Sequence, residues 1–208
     1  MRSSRAGRIV TTVVAAIVIV TLGVTGWLAW GQHLPLKHAR GAPPIGESGR
    51  SPVDPMAVAE IGGAKENYAT VDSLAAVAGQ RMLTREELLA LHENGADRVR
   101  LAVSKFDSGR AIVLLVQMPS RHRARLATEE LAALQRDYGF ERADKPTPPG
   151  VHAGVIGMDN PAEPGGRAHY QHGDIVVRVE FRGPRRASAE AKFFQVLTAQ
   201  IQAVEPDD

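Results

Sequence analysis

Cysteine is absent from the 208 residues, which excludes disulfides, thiolate metal sites, a cysteine nucleophile and lipid attachment at a lipobox cysteine. Acid is missing from one end of the chain, since no Asp or Glu precedes Glu47. The formal charge of +2 therefore belongs to the N-terminus: without Arg2, Arg5 and Arg8, 22 cations face 23 acids. A chain so balanced has no basic field with which to hold nucleic acid, and no nucleic-acid partner is expected. There is no Gly-Lys dipeptide, hence no phosphate-loop lysine, and neither a Gly-x-Ser-x-Gly elbow nor a Ser-x-x-Lys pair. The expectation is no cofactor, no metal and no catalytic residue. Lysine and asparagine are also scarce, with 5 Lys against 20 Arg and only Asn67, Asn94 and Asn160, a pattern that points to a GC-rich genome.

What is present begins with an uncharged run of 22 residues, Ile9 to Trp30. At 1.5 Å per residue a helix of that length spans roughly 33 Å, about one hydrocarbon core. Thr11, Thr12, Thr21 and Thr25 can return their hydroxyls to the preceding turn, and Gly23 and Gly26 are tolerated in membrane helices. Arginines precede the run and the first charge after it is Lys37, so residues 1–8 are expected as a cytoplasmic basic tail with the rest outside. Arg8, Trp27 and Trp30 are the expected interface anchors. A cleaved signal peptide would have a shorter apolar region and a small-x-small site, which only Val24-Thr25-Gly26 approaches. Membrane lipid is thus the expected partner of residues 9–30, with a protein or envelope partner of unknown identity beyond it. The predicted location is the cell membrane, single-pass, with the C-terminal part extracytoplasmic.

Residues 31–66 alternate Pro35, Pro43, Pro44, Pro52 and Pro55 with Gly41, Gly46, Gly49, Gly62 and Gly63 and lack apolar periodicity. This reads as a flexible linker, reaching about 30 to 36 Å as a coil. The folded domain is expected over 67–208, with the 44% apolar and 23% charged composition of a chain that builds one core.

Within it, Thr84-Arg85-Glu86-Glu87 has the capping-box form, and Gly95 closes the short helix that follows. Residues 97–106 and 111–118 read as strands joined at Asp107-Ser108-Gly109, a three-residue turn that would pair Val103 with Val113 and Leu101 with Leu115. A helix is predicted from Thr128, reaching back at most to Arg123, because Arg121, His122, Arg123 and Arg125 sit badly at the positive end of a helix dipole. Ala127, Leu131, Leu134 and Tyr138 form its apolar stripe and Gly139 its stop. Residues 151–158 read as a strand, 159–167 as a long turn, and 174–182 alternate Ile175, Val177, Val179 and Phe181 against Asp174, Arg178, Glu180 and Arg182. A last helix runs from a Ser188 cap to about Val204 and buries Phe193. The fold class is α+β: a small antiparallel sheet of about four strands in hairpin-helix-hairpin-helix order, with helices packed on one face.

The block His172 to Val179, leading into Phe193-Phe194-Gln195-Val196-Leu197 and a closing Pro206, resembles the small anchored or lipoprotein extracytoplasmic domains of high-GC Gram-positive bacteria. These are the sensor-like and Mog1/PsbP-like kind. The anchor and linker add to the likeness, which carries over no functional residue.

The remaining chemistry consists of near misses. His92-Glu93 begins a zincin-like motif, but Ala96 stands where the second ligand belongs. His152, His169 and His172 could share a metal only if the hairpin brought them together; with Met158 opposite Arg167, His152 faces Gly173 and His169 lies about 13 Å away. The cationic run Arg121, His122, Arg123 and Arg125 is the candidate patch for an anionic partner. Three functional readings follow: a non-enzymatic binding, sensing or scaffolding module of the cell envelope, an accessory subunit of a membrane complex, or an enzyme with dispersed acid/base residues such as Asp159, His169 and Asp174.

Overall fold

The computed structural model describes residues 54–160 and 162–207. The expectations for the basic tail, the membrane helix, residues 31–53 of the linker, and Arg8, Trp27 and Trp30 lie outside the described residues. Among those described, no helix is long and apolar enough to cross a membrane.

Along the chain come β1 (Ala64–Glu66), α1 (Leu74–Gly79), α2 (Arg85–Glu93), β2 (Val99–Phe106), β3 (Gly109–Gln117), α3 (Arg121–Asp137), β4 (Phe140–Arg142), β5 (His152–Ile156), β6 (Gly165–His172), β7 (Ile175–Arg182) and α4 (Arg186–Ala203). The strands form one antiparallel sheet of seven, ordered β1-β2-β3-β7-β6-β5-β4, where about four were expected. The α+β class stands. The three additional strands escape a periodicity reading for physical reasons. β1 and β4 are three-residue edges, too short to alternate, and β6 opens with Gly165-Gly166, which read as turn. A Cβ on Gly165 would lie 2.1 Å from the Phe181 carbonyl oxygen, and one on Gly166 would lie 2.2 Å from Phe193 Cδ1. These glycines serve close approach inside the sheet rather than turning the chain.

Helices cover both faces of the sheet, not one. Against α4 lie Ala111, Val113, Leu115, Ala168, Tyr170, Val177, Val179 and Phe181, with Phe193 at the centre. On the opposite face Leu114, Val116 and Val176 pack beneath α1, α2 and α3, through Val77, Leu91, Ala127 and Leu131. The interior strand β3 is apolar on both sides because both sides are roofed.

The β2–β3 hairpin is where expected, but its register differs by one. Val103 pairs with Ile112 and Leu101 with Leu114, and Phe106 pairs with Gly109 across a two-residue turn. A one-residue slip moves every side chain to the other face, so Val113 and Leu115 belong to the α4 core while Leu101 packs against the α2/α3 core. Gly109 is drawn into the strand by β7: a Cβ there would meet the Arg182 carbonyl oxygen at 2.0 Å.

Helix α3 begins at Arg121, well before Thr128. Ser120 is the N-cap, its Oγ accepting from the Arg123 N–H at 3.3 Å, whereas Thr128 is buried mid-helix and donates to the Ala124 carbonyl at 2.8 Å. The dipole argument against early cations concerns about 0.3–1 kcal/mol per exposed charge. Burial of Ala124 and Ala127 outweighs it, and Asp207, paired with Arg121 at 3.0 Å, supplies an acid at that end. The ordered domain also begins earlier than 67. Met56 is buried, Gln200 bonds both the Ala59 N–H and the Ala57 carbonyl at 2.9 Å, and Gly62 and Gly63, at positive φ, turn the chain into β1.

Candidate functional site: an open cleft backed by a buried charge network

The alternation along β7 places Arg178, Glu180 and Arg182 on the face roofed by α2 and α3. On β6, Arg167 lies opposite Glu180 and His169 opposite Arg178. Helix α2 brings a second carboxylate, Glu87, whose position is set by the predicted capping box: its Oε2 accepts from the Thr84 N–H at 2.9 Å while Thr84 Oγ1 accepts from the Glu87 N–H at 3.2 Å. The other oxygen is thereby aimed at the sheet, and Oε1 accepts from Arg167 Nη1 at 2.7 Å and from Arg178 at 3.4 Å. Glu180 accepts from Arg167 Nε at 3.2 Å and from Arg178 and Arg182. Phe140 closes the network, with the Arg167 guanidinium 4.7 Å from its ring centre, and Tyr138 flanks it while holding Thr84 Oγ1 at 2.6 Å.

Glu87, Arg167, Arg178 and Glu180 are each no more than 2% exposed. Burial by itself would push the Glu180 carboxyl up; Arg178, Arg167 and Arg182 override it and hold that carboxyl far below the usual range. For Arg178 the burial penalty is likewise overcome by Glu180 and Glu87, so its proton is held more tightly than usual.

The network is incompletely satisfied. Arg178 Nη1, both ring nitrogens of His169 and Gln135 Oε1 are buried without a partner among the described residues. His169 is wholly enclosed, and its pKa lies well below the usual 6.5, first through burial and then through Arg178 and Arg167, which outweigh Glu180. It faces His152 directly, because β5 pairs with β6 as His152 with His169 and Gly154 with Arg167. The expected pairing of His152 with Gly173 is displaced by four positions: Gly165 and Gly166, expected in the turn, are strand. His172 lies elsewhere, its Nδ1 on the Glu205 carbonyl at 2.7 Å. His152 is exposed, and its pKa is pushed down by partial desolvation and then by Arg136.

A pH dependence follows with a definite sign. Because folded His169 takes up a proton less readily than the unfolded chain, its contribution to stability is complete above the ordinary value of 6.5 and is lost as pH falls below it. Each proton taken up on unfolding gives a slope of about 1.4 kcal/mol per pH unit. Glu180 adds a loss of the same sign below its ordinary 4.5. In denaturant titrations between pH 7 and 5 the wild type should weaken with acid, and His169→Gln should remove most of that slope; an unchanged slope in the variant would assign the titration elsewhere.

In front of His152 and Gln135 lies an open cleft of about 920 Å³. Helix α3 supplies Gln135 and Arg136, β4 Phe140 and Arg142, the following loop Lys145 and Thr147, and β5 His152 and Gly154. It exists because β4 stops at Arg142 and leaves the outer part of β5 without a full neighbour. Gly154 forms part of its wall: a Cβ there would sit 2.6 Å from Gln135 Nε2 and 3.0 Å from the Glu141 carbonyl oxygen. A second cleft, of about 580 Å³, lies at the other end of the network, where Arg110, Glu180 and Arg182 line it together with Arg81, which holds a positive φ of 55°. There Arg110 is committed to Glu66 in a two-pronged pair at 2.8 and 2.9 Å.

Of the residues singled out from sequence, His152 lines the larger cleft, and the others lie away from both. Arg121, His122, Arg123 and Arg125 are exposed on the first turns of α3; Arg121 is held by Asp207, and Arg125 lies 4.0 Å from Glu129. Asp159 is exposed in the β5–β6 loop, His169 is sealed inside, and Asp174 accepts from Gln117 at the far end of the β6–β7 hairpin. His92 is exposed in the last turn of α2. Sequence reasoning passed over Glu87, Gln135, Arg167, Arg178 and Glu180. Three charged positions, Arg178, Glu180 and Arg182, alternating with apolar residues along β7 were the available signal.

No protein-family model matches the chain, and no curated protein matches it. Among solved structures it is similar to the crystal structure of the extracellular domain of PknH from Mycobacterium tuberculosis, at 15% identity and a TM-score of 0.36, covering 52% of this chain and 69% of that one. At that level the likeness assigns neither ligand nor activity.

Proposed function

We propose that residues 54–208 form a non-enzymatic binding module of the cell envelope that holds a small polar molecule, anchored by residues 9–30 with the module on the outer side. The observation that carries the binding part is the cleft of about 920 Å³ between α3, β4 and β5. Its volume falls within the range of about 300–1,000 Å³ usual for small-molecule sites, and polar side chains from three separate elements converge on it. The anchoring part rests on the length and flanking charge of the uncharged run.

Thermal unfolding of the full-length protein in nanodiscs, against a panel of sugars, sugar acids, amino acids and short peptides, tests the reading. A saturable rise in melting temperature is expected with at least one compound, reduced by Arg142→Ala or by Gly154→Val, which fills the cleft wall. Stabilisation that survives both substitutions would place the ligand elsewhere, and no stabilisation by any compound would remove the binding reading. Protease added to intact spheroplasts should digest the module; protection until lysis would reverse the orientation.

A further inference from the structure

Three cations stand abreast at one end of the sheet. Lys105 of β2 lies opposite Arg110 of β3, and Arg110 lies opposite Arg182 of β7, so the row crosses three neighbouring strands on the face that carries Glu180. Strands about 4.8 Å apart hold these side chains close, and like charges directly opposite one another repel. One acid answers the row: Glu66, taken by Arg110 in the two-pronged pair, with Tyr68 accepting from the same guanidinium at 2.9 Å. Arg182 bonds Glu180 through Nε, but the charges of Glu180 and Glu87 are already matched by the buried Arg167 and Arg178. Two positive charges are therefore left over, on Lys105 and Arg182. Lys105 is exposed and has no acidic partner among the described residues, and the Arg182 side chain is 45% exposed.

All three line the smaller cleft, of about 580 Å³, and Arg81 lines it from the loop between α1 and α2. Arg81 takes the left-handed conformation just past a helix end, where glycine is the usual residue, and no other non-glycine among the described residues has a positive φ. Such strain persists where the surroundings fix the residue, and it gathers at ligand sites. Beside the cations the cleft has apolar surface from half-buried Ile112 and Met82, with Ile112 in the next cross-strand row, opposite Glu180. Exposed Asp107 and Glu163 complete the charged lining. With Glu180 assigned to the buried arginines, four cations (Arg81, Lys105, Arg110, Arg182) face three acids (Glu66, Asp107, Glu163), an excess of one positive charge.

We propose that this smaller cleft is a second binding site, for a small organic anion that carries its oxyanion, a carboxylate or a phosphate, on an apolar body. The oxyanion accepts from the Lys105 ammonium and the terminal nitrogens of Arg182, with Arg81 meeting it from the loop, and the body rests on Ile112 and Met82. Ammonium and guanidinium groups hold either oxyanion by charge-assisted hydrogen bonds, and its arrival relieves the repulsion along the row. Asp107 and Glu163 disfavour a polyanion. The two clefts share no lining residue, so this site and the binding module proposed above stand or fall separately.

The test is calorimetric titration of the full-length protein in phosphatidylcholine nanodiscs with phenyl phosphate and, separately, benzoate. Phenol, which lacks the charge, and inorganic phosphate, which lacks the body, are the controls. At least one of the two anions should bind about tenfold more tightly than phenol, the worth of one charge-assisted hydrogen bond, and severalfold more tightly than inorganic phosphate; the tighter of the two identifies the oxyanion. Lys105→Gln should weaken that anion severalfold and flatten its salt dependence. Arg81→Gly should also weaken it while the melting temperature holds or rises, because glycine suits the left-handed position. An arginine kept for the fold alone would change stability and leave affinity untouched. Phenol binding as tightly as the anions would overturn the role of the cation row, and inorganic phosphate binding as tightly as phenyl phosphate would overturn the apolar seat. No binding by either anion, or affinity unchanged in both variants, would overturn the site. Weakening by Arg142→Ala would place the anion in the larger cleft and overturn the assignment to this one.

Discussion

Replacing Glu180 by alanine lowers the stability of the domain by about 3–5 kcal/mol, the usual result of stripping the partner from buried charges. Arg167 and Arg178, 2% and 1% exposed, would be left with Glu87 alone for two guanidinium groups. The loss should appear as a lower denaturant midpoint with little change in slope. Glu180→Gln should lie between the two, since the amide keeps one acceptor and loses the charge. A cost below about 1 kcal/mol for Glu180→Ala would mean that water reaches the guanidinium groups and that the network is not sealed. The complementary experiment replaces the whole network, Arg167→Met, Arg178→Met and Glu180→Leu, with Glu87→Gln to preserve the capping box. Apolar replacement of a complete buried ion cluster is commonly neutral or stabilising by about 1–4 kcal/mol. The expected outcome is a protein at least as stable as wild type, which would show that the network's charges are not what holds the fold together.

The second large effect lies on the opposite face. Phe193 is fully buried on α4 and its ring lies over Gly166 of β6, where an added Cβ would stand 2.2 Å from Cδ1. Phe193→Ala should cost about 3–5 kcal/mol, the lost transfer free energy together with a cavity that a sheet paired on both sides of β6 cannot collapse to fill. Gly166→Ala alone should also destabilise, by about 1–3 kcal/mol, because the ring cannot move without shifting α4. The two substitutions should not add. In Gly166→Ala with Phe193→Leu the smaller side chain makes room for the new methyl, so the double variant should be more stable than the sum of the singles by about 1 kcal/mol or more. Additive costs in a double-mutant cycle would show that the ring and the glycine do not share this contact.

Both effects arise at residues whose identity alone suggested less. Glu87 was legible as the distal member of a capping box, and that bond is present, but its second oxygen serves arginines 80 and 91 positions away. Local sequence holds no record of such a contact. The alternation of β7 was legible too, and its two faces differ as the pattern implies. What the pattern could not state is that a helix covers each face, so the side bearing Arg178 and Glu180 is inside. Gly166 and Gly109 were read as turn residues; in the fold both are in strands, Gly109 with a positive φ of 145°, and each leaves room for a neighbour. The same substitution of role moved the β2–β3 register by one and the β5–β6 register by four, and the second change is what set His169 against His152.

By itself, then, the sequence determined the local features: the capped start of α2, the position of the first hairpin, the alternation of β7, and an α4 helix with Phe193 inward. These depend on side chains and backbone groups within a few residues of one another, where propensity and capping act. Register, the number of strands, the helices on both faces and the buried ionic row were decided only in three dimensions. They depend on close approach between segments far apart in the chain, and the side chains that permit or forbid such approach become neighbours only once the sheet is closed between its helices.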